Sequence, residues 1–150
     1  MSSLYETDFV RWTETQRDLL IEKRFDRLDL DNLIEEIESL GRSQQHSVKS
    51  HLHTVLLHLL KLAYSQGSRA PERGWVSSIY TARSHIERLI EDSPSLARIL
   101  EEAVEREYRR ACGQAHYELE HYGDRHHPFP ETCPWSTDEI RDAEFFPHDA

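Results

Sequence analysis

Between residues 30 and 62 the apolar positions keep one helical phase: Leu30, Leu33, Ile34, Ile37 and Leu40, then Gln44, Val48, His51/Leu52, Val55, Leu59 and Leu62. Recurrence at three and four residues marks one face of an α-helix. The run covers about nine turns and predicts one long helix over residues 29–64, with Asp29 and Asp31 in its first turn, where negative charge complements the helix dipole. Gly41 lies inside the run. A glycine there costs about 1 kcal/mol against alanine, but the phase is the same on both sides, so the helix is expected to continue through it; a break at 41–43 is the alternative.

The same reading places further helices before and after. A first helix is predicted over residues 7–23, capped by Thr7 or Asp8, with Phe9, Trp12, Leu19 and Leu20 on one face and Thr13 and Gln16 interrupting it. Residues 65–74, SQGSRAPERG, read as a loop. A third helix over 75–91 carries Trp75, Ile79, Ala82, Ile86, Leu89 and Ile90. Ser93-Pro94 reads as an N-cap followed by proline at the first helical position, opening a fourth helix with Leu96, Ile99, Leu100, Ala103, Ala111 and Leu119. Residues 123–134 form a loop rich in proline and histidine. Ser136 and Glu139 have capping-box spacing, which predicts a short helix over 137–143, and Phe145-Phe146-Pro147 is expected to pack back on the bundle. No stretch alternates as a strand does. The predicted fold class is all-α: a helical bundle of four main helices, one of them dominant, with a short C-terminal helix, forming a single domain over residues 1–150.

Composition sharpens this picture. The 150 residues are 37% hydrophobic and 31% charged, with a net charge of −10. Helices with one apolar stripe and a charged outer face give this balance, and a chain of this length buries roughly 70% of the surface its unfolded form exposes. The acidic charge argues against non-specific nucleic-acid binding, which needs a cationic surface. No apolar run reaches the length of a membrane span. Two cysteines, Cys112 and Cys133, are too few for a disulfide scaffold, and the opening MSSLYETDFV lacks a basic stretch followed by an apolar one. The expectation is a cytoplasmic protein.

Several segments carry a family resemblance: YETDFVRW (5–12), DNLIEEIESLGRS (31–43), LLHLLK (56–61), SPSL (93–96) and FPETCPW (129–135). In order and together they span nearly the whole chain, which resembles the bacterial family called "domain of unknown function 29". The family's pattern has an aromatic residue after the lysine of the LLHLLK-like segment, where this chain has Leu62. The resemblance implies an α-helical fold and no particular activity.

Candidate chemistry is sparse. The chain has ten histidines, but His51 and His58 are about 10.5 Å apart along a helix axis and do not suit one ion. His116 and His121 are five residues apart, and Glu118-x-x-His121 lacks the second copy that a dimetal bundle needs. No metal site is predicted. Nor is a cofactor, since no glycine-rich phosphate loop is present, and no catalytic residue can be assigned. Cys133 in TCPW reads as a small apolar plug beside Trp135, the alternative being a reactive thiol near His126 and His127.

Two constellations stand out. His58 and Lys61 lie at the edge of the long stripe. Glu107 sits between Ala103 and Ala111, where the pattern asks for an apolar residue, so it is expected to be buried and paired with His51, His58, Lys61 or Arg83. Glu36 borders the stripe and has Arg83 as a candidate partner. Glu36, His58, Lys61 and Glu107 thus form a candidate polar cluster, either an inter-helix network or the lining of a cleft. Glu35 and Glu38 point to solvent and form a candidate docking face for a basic partner. The preferred reading is a small acidic module that binds a partner protein; the rival is an enzyme or small-ligand binder using the polar cleft. The sequence sets no oligomeric state.

Overall fold

The computed structural model describes residues 2–67 and 71–147. The chain is all-α, with α1 over Leu4–Thr7, α2 over Phe9–Ile21, α3 over Leu30–Tyr64, α4 over Glu72–Asp92, α5 over Leu96–His121 and α6 over Thr137–Arg141. A 3-10 turn at Phe25–Arg27 precedes α3. Among the described residues there is no strand, only an isolated antiparallel bridge between Ser65 and His126. The expected bundle of four main helices with a short C-terminal helix is therefore present, and α3 is the dominant one at 35 residues. It passes unbroken through Gly41. Nothing lies within 4 Å of a Cβ built there, so Gly41→Ala is expected to stabilise the fold by about 0.5–1 kcal/mol, through helix propensity alone. Urea denaturation of the two proteins checks it.

Local signals moved some boundaries. The predicted first helix is α2, capped by Asp8 as expected, its carboxylate accepting from Arg11 N at 3.0 Å; the short α1, which the pattern did not predict, ends at the same residue. α4 starts three residues before Trp75, at Glu72. Ser93 ends α4 instead of capping α5; the Ser93 and Pro94 carbonyls accept from Leu96 N and Ala97 N, and α5 begins at Leu96. The capping box at Ser136 and Glu139 forms as its spacing predicts. Part of the expected 65–74 loop, residues 68–70, lies outside the described residues.

The chain divides into two compact units, Met1–Ser43 and Gln44–Ala150. In the first unit, Trp12 is buried and makes edge and stacked contacts with Tyr5 and Phe9. Gln16, which interrupts the apolar pattern of α2, is buried too: its Oε1 accepts from Asp29 N at 2.8 Å. Asp29 in turn accepts from Trp12 Nε1 at 3.0 Å and Asn32 Nδ2 at 2.8 Å. These donors hold its carboxyl below the ordinary carboxylate range. Trp12 is the one buried apolar side chain among the unit's described residues. The apolar stripe of α3 is not covered here: Leu30, Ile34, Ile37 and Leu40 are all more than half exposed.

The second unit holds the core. From Val48 onward the stripe of α3 is buried, with Leu52, Leu56, Leu59 and Leu60 sealed from solvent beside Ile79 and Ile86 of α4, Leu100 and Tyr108 of α5 and Ile140 of α6. α5 ends at His121 with Gly123 in the left-handed region, φ 76°. Gly123 N donates to Glu120 O and Asp124 N to Leu119 O, which satisfies the terminal carbonyls. The following loop pairs back on the end of α3 through Gln66 N to Arg125 O and His127 N to Tyr64 O. Tyr108 donates to Pro130 O at 2.8 Å, and Trp135 enters the core. Phe145 and Phe146 pack against the core as the pattern predicted.

Candidate functional site

Along the second unit, α3 and α5 run side by side in the same sense, and their polar flanks meet. Lys61 Nζ donates to Glu118 Oε2. Gln114 Nε2 donates to Glu118 Oε1 at 2.7 Å. Gln114 Oε1 faces His53 Nε2 at 2.7 Å. His53 Nδ1 stands 3.5 Å from Glu107 Oε2, and Arg110 Nη1 donates to both Glu107 oxygens at 3.3 and 3.4 Å. The result is one polar line from Lys61 to Glu107. Its α5 members, Glu107, Gln114 and Glu118, follow at seven and four residues, so they share a face beside the apolar one.

Of the candidate polar cluster, the structure brings together three members along this line. Lys61 is buried at its end. His58 is half-buried close by, its Nδ1 without a hydrogen-bond partner among the described residues. Burial, followed by the charge of Lys61, pushes its imidazole down to about 4, so it is neutral at pH 7. Glu107 is 4% exposed, as its place between two alanines predicted. Its cross-helix neighbour is none of the four expected residues. His53 takes the role, because the parallel register of the two helices sets residue 107 opposite 53 and residue 118 opposite 61. His51 faces α4 instead, stacked on His85 with ring centroids 4.7 Å apart.

Glu36 has a different setting. It belongs to the first unit and accepts from Tyr5 OH at 2.6 Å, which holds the phenol up at about 12. Arg83, the proposed partner of both Glu36 and Glu107, serves neither. It is buried in the second unit and donates to the carbonyls of Ile140, Phe145 and Glu139 at 2.8, 2.8 and 3.2 Å. Glu35 and Glu38 are exposed, with Glu38 loosely paired to Arg42 at 3.6 Å.

The line opens on a cleft of about 540 Å³ between α3 and α5, bordered by Lys49, His53, Arg106, Glu107 and Arg110. Its size is that of a small-molecule site. His53, Lys49 and Arg106 are missing from the candidates drawn from the sequence. Their trace was there: His46, Lys49 and His53 follow at three and four residues along the flank of the α3 stripe.

The remaining histidines and cysteines are spread out. His116 Nδ1 and His126 Nε2 are 2.8 Å apart, and His121 stacks on Tyr117. Among the described residues no group of three or more His, Cys, Asp or Glu is placed to hold a metal ion. Cys133 donates to Trp135 O at 3.5 Å, and burial pushes its thiol up to about 11, which keeps it protonated at neutral pH. Among the described residues no helix is long and apolar enough to cross a membrane.

No curated protein and no solved structure matches the chain. A family model does, over residues 4–146, and that span takes in both units and every helix. The chain belongs to the family described as "Domain of unknown function DUF29".

Proposed function

We propose that this protein is an interaction module whose first unit docks a basic amphipathic helix of a partner protein. One observation carries the reading. Among the described residues, ten of the thirteen large hydrophobic residues left exposed lie within residues 4–40, and the other three are tyrosines. Exposed aliphatic surface gathered in one unit marks a protein contact, whereas scattered single residues do not. On α3 the exposed Leu30, Ile34, Ile37 and Leu40 follow a helical stripe, against which the apolar face of a second helix can pack. Gly41 extends that stripe with open space above it, so a partner backbone can come close.

Charge selects the partner's sign. Between Leu30 and Leu40 the chain has Asp31, Glu35, Glu36 and Glu38 and no basic residue. Like-signed flanks of this kind favour Lys or Arg opposite and repel acidic partners. Nucleic acid is disfavoured on the same ground. The reading is that of a single-domain cytoplasmic protein, since α3 runs unbroken through the boundary of the units and both cysteines are free.

Affinity capture with the full chain tests this, run beside the Ile34→Asp/Ile37→Asp and Glu35→Lys/Glu38→Lys variants. The expected result is a stoichiometric protein that both variants lose, that rebinds the purified chain, and whose contact segment is a basic helix. Capture that is indifferent to both pairs would sink the reading. So would light scattering that finds a dimer dissociated by Ile34→Asp/Ile37→Asp, because a second copy would then cover the stripe.

A further inference from the structure

The cleft between α3 and α5 holds positive charge that the chain's own carboxylates do not answer. Two acidic side chains border it, and both are engaged elsewhere. Glu102 has Arg98 one turn before it and Arg106 one turn after. It pairs with Arg98, whose Nε donates to its Oε1 at 2.9 Å, and so leaves Arg106 unanswered. Glu107 is buried, with Arg110 at 3.3 Å from one oxygen and His53 at 3.5 Å from the other. Lys49 borders the cleft from α3 and is half-buried. Like Arg106, it pairs with no carboxylate among the described residues.

The fold brings these two cations to one place. The parallel register that sets His53 opposite Glu107 sets Lys49 opposite Ala103, less than one turn from Arg106. Helical side chains lean towards the N-terminus, so that of Arg106 covers the turn holding Ala103. The small Ala103 leaves the space, and Ile99, one turn earlier, adds apolar wall. A phosphate monoester matches this arrangement. The guanidinium fork takes two of its oxygens and the ammonium meets the third as a point charge. Its two negative charges answer both cations, where a carboxylate answers one. The cleft volume of about 540 Å³ also has room for a small organic body.

We propose that the α3–α5 cleft binds a small phosphomonoester, its phosphate between Lys49 and Arg106 and its organic part against Ile99 and Ala103. The net charge of −10 does not oppose this, because physiological salt screens exposed charges beyond about 8 Å. An extended polyanion, by contrast, meets the rest of the acidic surface. The site lies wholly in the second unit and does not depend on the docking reading.

Calorimetry and amide NMR on the full chain test it, with sodium chloride holding the ionic strength at about 0.15 M. The probes are inorganic phosphate, glycerol 3-phosphate and ribose 5-phosphate. Glycerol and ribose serve as uncharged parents, and vesicles containing phosphatidic acid present the same phosphate on a lipid. At about 10 mM a soluble probe nearly fills a site with a Kd of about 1 mM. Saturable binding is expected for at least one soluble ester and for neither parent, with shifts confined to residues 45–53 and 99–110. Lys49→Ala/Arg106→Ala is expected to weaken it about tenfold or more. Neither side chain is in an ion pair, so the variant is expected to fold as the parent does. Arg88→Ala/Arg109→Ala removes the same charge outside the cleft and is expected to change binding by less than about twofold. Glu102→Gln, which takes a carboxylate from the rim, is expected to tighten it about twofold. The proposal is overturned if no soluble ester binds, if only the vesicles do, if the shifts fall outside the cleft, or if the two double variants weaken binding equally.

Discussion

Arg83→Ala is expected to destabilise the protein by about 3–5 kcal/mol, because three backbone carbonyls lose their donor, at about 1–3 kcal/mol for each that stays buried. The residue is 3% exposed, and its guanidinium meets three backbone carbonyls, those of Glu139, Ile140 and Phe145. It also lies 5.2 Å from the centre of the Phe146 ring. Those carbonyls belong to the end of α6 and the tail after it, where a short helix leaves its last acceptors without internal donors. The planar fork supplies them together. Arg83→Lys is expected to recover less than half of the loss, because one ammonium cannot reproduce the fork. Urea denaturation measures the effect, and hydrogen exchange at residues 139–146 locates it. A loss under about 1 kcal/mol would show that the tail is held by its apolar residues alone.

Acidification from pH 6.5 to 4 is expected to cost about 2 kcal/mol through His58, after allowing for its partial exposure. Its folded pKa is about 4, against 6.5 for a free imidazole, because of burial and then the neighbouring Lys61. A base depressed in this way binds fewer protons folded than unfolded throughout that window. Its contribution is complete above the unfolded pKa and is lost as pH falls towards the folded one. His51, lowered by burial and by His85, acts with the same sign. Glu118 extends the loss to lower pH. Burial raises its carboxyl, but the bonds from Lys61 and Gln114 outweigh that and hold it below the ordinary range, so its stabilisation disappears only as the acid reaches carboxylate values. His58→Gln is expected to flatten the stability profile between pH 6.5 and 4 while leaving the steeper fall below it. An unchanged slope in that variant would refute the assignment.

What could be read from residues alone follows from period. The continuity of α3 through Gly41 was legible because a helix interior tolerates one glycine at small cost, while a turn has no reason to preserve phase. The burial of Glu107 was legible for a similar reason: its neighbours at four residues on either side are Ala103 and Ala111. Capping chemistry at Ser136 and Glu139 was legible because it lies within one turn. The same local logic misjudged Ser93-Pro94, where two helix ends compete for one serine and α4 takes it.

The tertiary structure decided which surface covers which. Leu30 to Leu40 and Val48 to Leu62 continue one stripe in the sequence, yet the first part is exposed and the second is core. Periodicity states that a face is apolar; it has no term for what lies opposite. The partners of buried polar groups were hidden for the same reason. His53 opposite Glu107, and three carbonyls around Arg83, depend on the register of two helices and on the path of a tail more than fifty residues away in the chain. Helix identity is written in contacts of three and four residues, so the sequence determined it. The polar line, the cleft and the uncovered stripe arise from long-range register, which only the folded chain sets.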